Sequence, residues 1–152
     1  FCEDCVMGKT KRVTFNRSSF KAAAPLEYIH SDLWGPARTS SHGGGFYFVT
    51  FIDDYSRKVW VNILKNKSDV FQTFKTWRAT VENQTGKRVK TLRTDNGLEY
   101  LSTEFIQYCE SEGIKRHRTV METPQQNGLA ERMNRTILER VRSMLAYSGL
   151  PK

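Results

Sequence analysis

Cysteine and histidine are scarce in this chain of 152 residues, with three of each. So few cysteines, in an odd number and without a visible secretory signal, argue against a disulfide-stapled scaffold and for a reducing compartment. His30, His42 and His117 form no closely spaced histidine pair, so the sequence carries no self-contained zinc finger. Cys2 and Cys5 stand as C-x-x-C and supply at most half of a tetrahedral zinc site; within this chain they read as two thiols. Cys109, inside Phe105-Ile106-Gln107-Tyr108-Cys109, reads as a small core residue. No run approaches the ~18 apolar residues of a membrane-spanning helix, so no membrane partner is expected. Negative charge is also in deficit. Against 24 Lys and Arg there are 16 Asp and Glu, a net charge of +8. A polyanion is the natural partner of such a chain. A hydrophobic content of 38%, with 12% aromatics, argues against disorder and suits one domain with a real core. The first residue is Phe1 and not Met, as in an excerpt from something longer.

Residues 6–24 are polar and basic, ending in Ala22-Ala23-Ala24, and read as a linker, so 1–24 precede the folded unit, read as 25–152. Three strands are expected first: Leu26 to Leu33, the doubly apolar Phe46 to Ile52, and Val59 to Leu64, joined as an antiparallel meander. Ser68 is a candidate cap for a helix with Val70, Phe74, Trp77 and Val81 on one face, ended by Gly86. A strand at Val89 to Thr94, a helix from Ser102 to Gly113 and a strand at Ile114 to Val120 follow. After the polar loop Thr123 to Gly128, a last helix carries Met133, Ile137, Val141 and Leu145 as a core stripe. Three strands, helix, strand, helix, strand, helix make an α/β layered domain with a mixed five-stranded sheet flanked by helices.

Against the shortage of acids, three carboxylates hold informative positions. Asp32 and Asp95 each end a strand-like run, and Glu131 opens the last helix; 62 residues separate the first two and 35 the last two. Two strand ends and a helix start can bring them together. Carboxylate oxygens are hard ligands suited to Mg²⁺ or Mn²⁺, and such a cluster can hold two ions. Asp53 and Asp54 read as a turn with a cap or salt bridge, and Glu99 as a neighbouring group, not a ligand. Glu122 and Glu139 lack the spacing of Glu131. Asn96 either orients Asp95 or serves the Asn96-Gly97 turn. Arg135 shares a helix face with Glu131, either as an ion pair or as a DNA contact. Lys115 to Arg118 is either a charged edge strand or a rail for DNA.

Several words of the chain resemble the catalytic core of integrases of copia-type LTR retrotransposons. They are His30-Ser31-Asp32-Leu33-Trp34-Gly35-Pro36, Phe51-Ile52-Asp53-Asp54-Tyr55-Ser56-Arg57, Arg93-Thr94-Asp95-Asn96-Gly97-Leu98-Glu99-Tyr100 and Pro124-Gln125-Gln126-Asn127-Gly128-Leu129-Ala130-Glu131-Arg132. The 35-residue spacing matches the acidic triad of the wider retroviral integrase superfamily, and Cys2-x-x-Cys5-x-x-Gly8-Lys9 resembles the end of an upstream His-His-Cys-Cys zinc module. The resemblance spans essentially the whole chain. It implies an RNase H-like fold in which Asp32, Asp95 and Glu131 are catalytic and hold two Mg²⁺ (or Mn²⁺) ions. It implies a DNA strand transferase that joins the 3′ ends of element cDNA to target DNA, as a homo-oligomer cut from a Pol polyprotein. Gln125, Gln126, Asn127, Arg132 and Arg135 would meet DNA. Zn²⁺ would bind Cys2 and Cys5 only in the full-length protein. The place of action would be the nucleus, after a cytoplasmic virus-like particle. The alternative is a decayed or domesticated core that only binds DNA or protein.

Overall fold

The computed structural model describes residues 22–118 and 128–148. Cys2, Cys5, Gln125, Gln126 and Asn127 lie outside the described residues, as does most of the 1–24 linker. Strands β1 (Tyr28–Trp34), β2 (Tyr47–Asp53) and β3 (Val59–Leu64) form the expected antiparallel meander. Helix α1 (Val70–Thr85) leads to β4 (Thr91–Thr94), which pairs parallel with β1. Helix α2 (Thr103–Ser111) leads to β5 (Lys115–Arg118), parallel to β4, and α3 (Gly128–Ser148) ends the described chain. The sheet order β3-β2-β1-β4-β5 is the expected mixed sheet.

Val70, Phe74, Trp77 and Val81 all become buried, because a 3.6-residue period puts them on one face of α1. That face meets Phe51 of β2, whose ring stacks on Trp77 at 4.4 Å between centroids. Phe74 stacks on Phe105 of α2 at 5.2 Å, so both helices cover one side of the sheet. Each fully buried large side chain here contributes roughly 1.5–3 kcal/mol. Cys109 is buried in the same core, as expected. Gly86 ends α1 at φ +66°, where its N–H reaches the Glu82 carbonyl.

Helix α1 is not started by Ser68. Asn66 and Asp69 begin a short 3₁₀ turn, Lys67–Asp69, with the Asn66 N–H donating to the Asp69 carboxylate at 2.9 Å. At α2 the expected cap holds, as the Phe105 N–H donates to Ser102 Oγ at 3.3 Å. Ser102→Ala removes an acceptor for an otherwise unpaired N–H, so stability falls by about 1 kcal/mol. Urea unfolding of this variant shows a lower midpoint at unchanged slope; an unmoved midpoint contradicts the assignment.

Strand bounds shift by one or two residues from the sequence reading, β1 to Tyr28–Trp34 and β2 to Tyr47–Asp53, and one expected core stripe fails. β4 starts at Thr91, since the Val89 N–H donates to the Glu82 carboxylate and not to a strand. On α3 the expected stripe is not core. Met133 and Ile137 are half-buried, while Val141 and Leu145 are 40% and 37% exposed. The buried α3 positions are Ala130 and Asn134. They face β1 and β2 on the side of the sheet opposite α1, where a hydrogen-bonding partner outweighs apolar periodicity.

Candidate active site at the ends of two parallel strands

Asp32 lies in β1, paired in register with Thr50 of β2. Strand alternation turns both away from the Phe51 face, toward α3. Asp95 directly follows β4, the parallel neighbour of β1, so both acids lie toward the same, carboxyl-terminal end of the two strands. Open α/β sheets build their sites at such carboxyl ends. The Asp95 carboxylate accepts the Gly97 N–H at 3.0 Å, an Asx turn that steers its other oxygen outward. Glu131 stands exposed in the first turn of α3.

The three acids act on one another. The Asp32 carboxyl is pushed up to about 7, first by burial, then by the charges of Asp95 and Glu131. The Asn134 amide and the Leu33 N–H pull partly the other way. None of the ion pairs among the described residues involves Asp32, Asp95 or Glu131. The site gathers three acids with no cationic side chain paired to them among the described residues, a set of hard oxygen donors that fits a divalent cation. Among the described residues no group of three Asp, Glu, His or Cys side chains converges closely enough to hold one ion as it stands.

Two residues overlooked in the sequence sit in this site. Asn134 Nδ2 donates to Asp32 Oδ2 at 2.8 Å, and Thr50 Oγ1 donates to Asn134 Oδ1 at 2.9 Å. Both are buried. The available signal was that Asn134 is three residues past Glu131, on the same helix face, where Asn is a poor helix former. Behind β1, Ser31 Oγ and the Tyr100 hydroxyl pair at 2.8 Å, and burial holds the Tyr100 phenol well above its ordinary range.

The rival acids do structural work. Asp53 accepts the Leu26 N–H at 3.0 Å and the Ser56 hydroxyl at 2.6 Å. Asp54 pairs with His30 and Arg57, both at 3.1 Å. His117 is tied by its ring to the Tyr28 hydroxyl, which also accepts from Arg93. β5 is an edge strand with Lys115, His117 and Arg118 exposed. Arg132 and Arg135 are exposed on α3, and Glu131–Arg135 is not among the ion pairs of the described residues.

The integrase core domain family matches residues 22–124, a stretch that includes Asp32 and Asp95. The chain is 55% identical over 151 residues to the retrovirus-related Pol polyprotein from transposon TNT 1-94 of Nicotiana tabacum, covering 99% of this chain and 11% of that protein. It is 36% identical to the Pol polyprotein from transposon RE1 of Arabidopsis thaliana, covering 99% and 10%. The chain thus spans about a tenth of the curated relatives it matches. Among solved structures it is similar to the magnesium complex of the HTLV-2 integrase catalytic core domain, in its trimeric form. There the TM-score is 0.61 at 23% identity, covering 86% of this chain and 80% of that one. A chain of a simian T-cell lymphotropic virus intasome in complex with the PP2A regulatory subunit B56 gamma gives 0.70 at 19% identity, covering 99% and 52%. The shared architecture is the RNase H-like fold of integrase cores. With a family match over most of its length and Pol polyproteins of retrotransposons as its relatives, the chain belongs to the integrase core domain family, in the copia-type group whose words it carries.

Proposed function

We propose that this domain is a metal-dependent DNA strand transferase in which Asp32, Asp95 and Glu131 hold Mg²⁺ or Mn²⁺. The 3′-hydroxyl of element DNA forms a new bond to a target phosphorus. The target's 3′ oxygen leaves with the electron pair of the broken bond and is then protonated. When bound, divalent ions activate the attacking oxygen and offset charge at phosphorus. The observation that carries this reading is the placing of Asp32 in β1, Asp95 directly after the parallel strand β4 and Glu131 in the first turn of α3; burial and the other two acids raise the Asp32 carboxyl, and none of the ion pairs among the described residues involves any of the three. Neither a protein nucleophile nor a covalent protein–DNA intermediate is required. No observation favours the non-catalytic alternative.

The test is strand transfer with pre-cleaved terminal DNA. Joined product is expected in Mg²⁺ or Mn²⁺ and none in EDTA; product in EDTA refutes the metal requirement. Arg132 and Arg135, exposed on the helix of Glu131, are the proposed DNA contacts, together with Gln125, Gln126 and Asn127. Binding is expected to be weak, nearly sequence-blind and salt-sensitive, because the charge is distributed along the chain and the sequence shows no recognition helix or finger. Each phosphate contact adds about 0.9 to the log–log salt slope on duplex DNA. Fluorescence anisotropy across salt concentrations measures that slope, and tight binding to one sequence at high salt overturns the expectation. The same reading makes the protein an oligomer released from a Pol polyprotein. It would meet element DNA in a cytoplasmic virus-like particle and target DNA in the nucleus, with Zn²⁺ on Cys2 and Cys5 only in the full-length protein.

A further inference from the structure

We propose that Asn134, oriented by Thr50, is the positioning residue that holds Asp32 for its cation and ties the helix of Glu131 to the strand of Asp32. This rests on the metal site proposed above. The Asn134 side chain can point its amide either way, and the Thr50 hydroxyl together with the Asp32 carboxylate selects one. Thr50 Oγ1 is closer to Asn134 Oδ1, at 2.9 Å, than to the Asp32 carbonyl oxygen, at 3.3 Å, so its one hydrogen goes to Asn134. With its oxygen so engaged, Asn134 directs Nδ2 at Asp32 Oδ2, 2.8 Å away. With Asp32 ionised, the form that binds a cation, the flipped amide would set its oxygen against a carboxylate oxygen. An N–H bond to a charged oxygen is short and directional, which restrains the rotation of the Asp32 carboxyl. One oxygen is thereby occupied and the other left for a cation.

The location adds a second consequence. Asn134 is 3% exposed and Thr50 0%, so the bond between them is shielded from water, while the Asn134–Asp32 bond is part-buried. Asn134 is one turn beyond Glu131 on the same helix, while Asp32 is 102 residues away on β1. The amide therefore fixes the distance between the elements that carry two of the proposed ligands. An apolar residue at 134 would pack the helix without setting that distance.

The test compares Asn134→Ala, Thr50→Val and Thr50→Ser with the unaltered protein. Mn²⁺ binding is followed by electron paramagnetic resonance, strand transfer as a function of Mg²⁺, and melting in EDTA. Asn134→Ala is expected to weaken Mn²⁺ binding by about 10–100-fold, the usual effect of losing a residue that orients a ligand. The Mg²⁺ concentration for half-maximal activity rises by a similar factor, while the rate at saturating Mg²⁺ falls less. Thr50→Val moves both the same way by less, and Thr50→Ser restores them. If Asn134→Ala does not fold, the two Thr50 variants decide. Unaltered Mn²⁺ affinity and Mg²⁺ dependence, with any loss confined to melting, overturn the proposal. Asp95→Asn run in parallel separates the two readings. If Asp95→Asn loses Mn²⁺ and the others do not, only the positioning role falls. If Asp95→Asn also keeps it, the metal site falls and the positioning role with it.

Discussion

Asp95→Asn lowers strand transfer by at least about 10³-fold while the domain stays folded. A cation site contributes several kcal/mol to a phosphoryl transition state, and each 1.36 kcal/mol is a factor of ten. Neutralising one of three hard ligands removes much of that. The fold is spared because Asn keeps the volume and an oxygen for the Gly97 N–H, now 3.0 Å away. The variant also relieves Asp32 of the charge that, after burial, pushes it up most. Without metal, Asp95→Asn therefore melts at the same or a higher temperature near neutral pH. A gel-based strand-transfer assay and melting in EDTA check both halves. Activity within tenfold of the original removes Asp95 from the catalytic set.

The second large effect is on stability against pH. The Asp32 carboxyl titrates at about 7 in the fold and near its ordinary 3.8 when unfolded. Below about pH 4 both states hold the proton, and above about 7 neither does. In between, only the folded state holds it, so stability falls as pH rises through this window. The loss from this group is at most about 4 kcal/mol at 1.36 kcal/mol per unit, less after screening of a partly exposed site. His30, whose ring burial holds below its ordinary value, works in the opposite direction. The informative quantity is thus the difference from Asp32→Asn. In urea unfolding with EDTA, the stability of the original protein minus that of Asp32→Asn should decline from pH 4 to pH 7. A difference that does not change with pH contradicts the raised carboxyl.

What could be read in the sequence is what local chemistry controls. The α1 stripe of Val70, Phe74, Trp77 and Val81 was legible because a 3.6-residue period marks a face before any partner is known. Gly86 and Ser102 were legible because a left-handed end and an unpaired N–H each call for a particular residue type. Asp53 and Asp54 were legible as turn residues for the same reason. Ser68 failed as a cap because Asn66 and Asp69, two equally suitable residues, lay either side of it. The stripe on α3 failed because apolar periodicity names a face without naming what it meets. Val141 and Leu145 stay exposed while Ala130 and Asn134 turn to the sheet.

The sequence by itself determined the order of strands and helices, the mixed sheet, and the placing of Asp32 and Asp95 on neighbouring strands with Glu131 at a helix start, although β1 runs on past Asp32 to Trp34. Periodicity, caps and turns act over a few residues and leave a mark on the chain. Only the tertiary structure decided that Asn134 and Thr50 belong to the site. Those two lie 84 residues apart, and Asn134 lies 102 residues from Asp32. No local rule links an Asn in a helix to a Thr in a strand. Their pairing exists because the parallel β1–β4 pair gathers Asp32 and Asp95 at one end of the sheet, and α3 packs on that face with Asn134 turned inward.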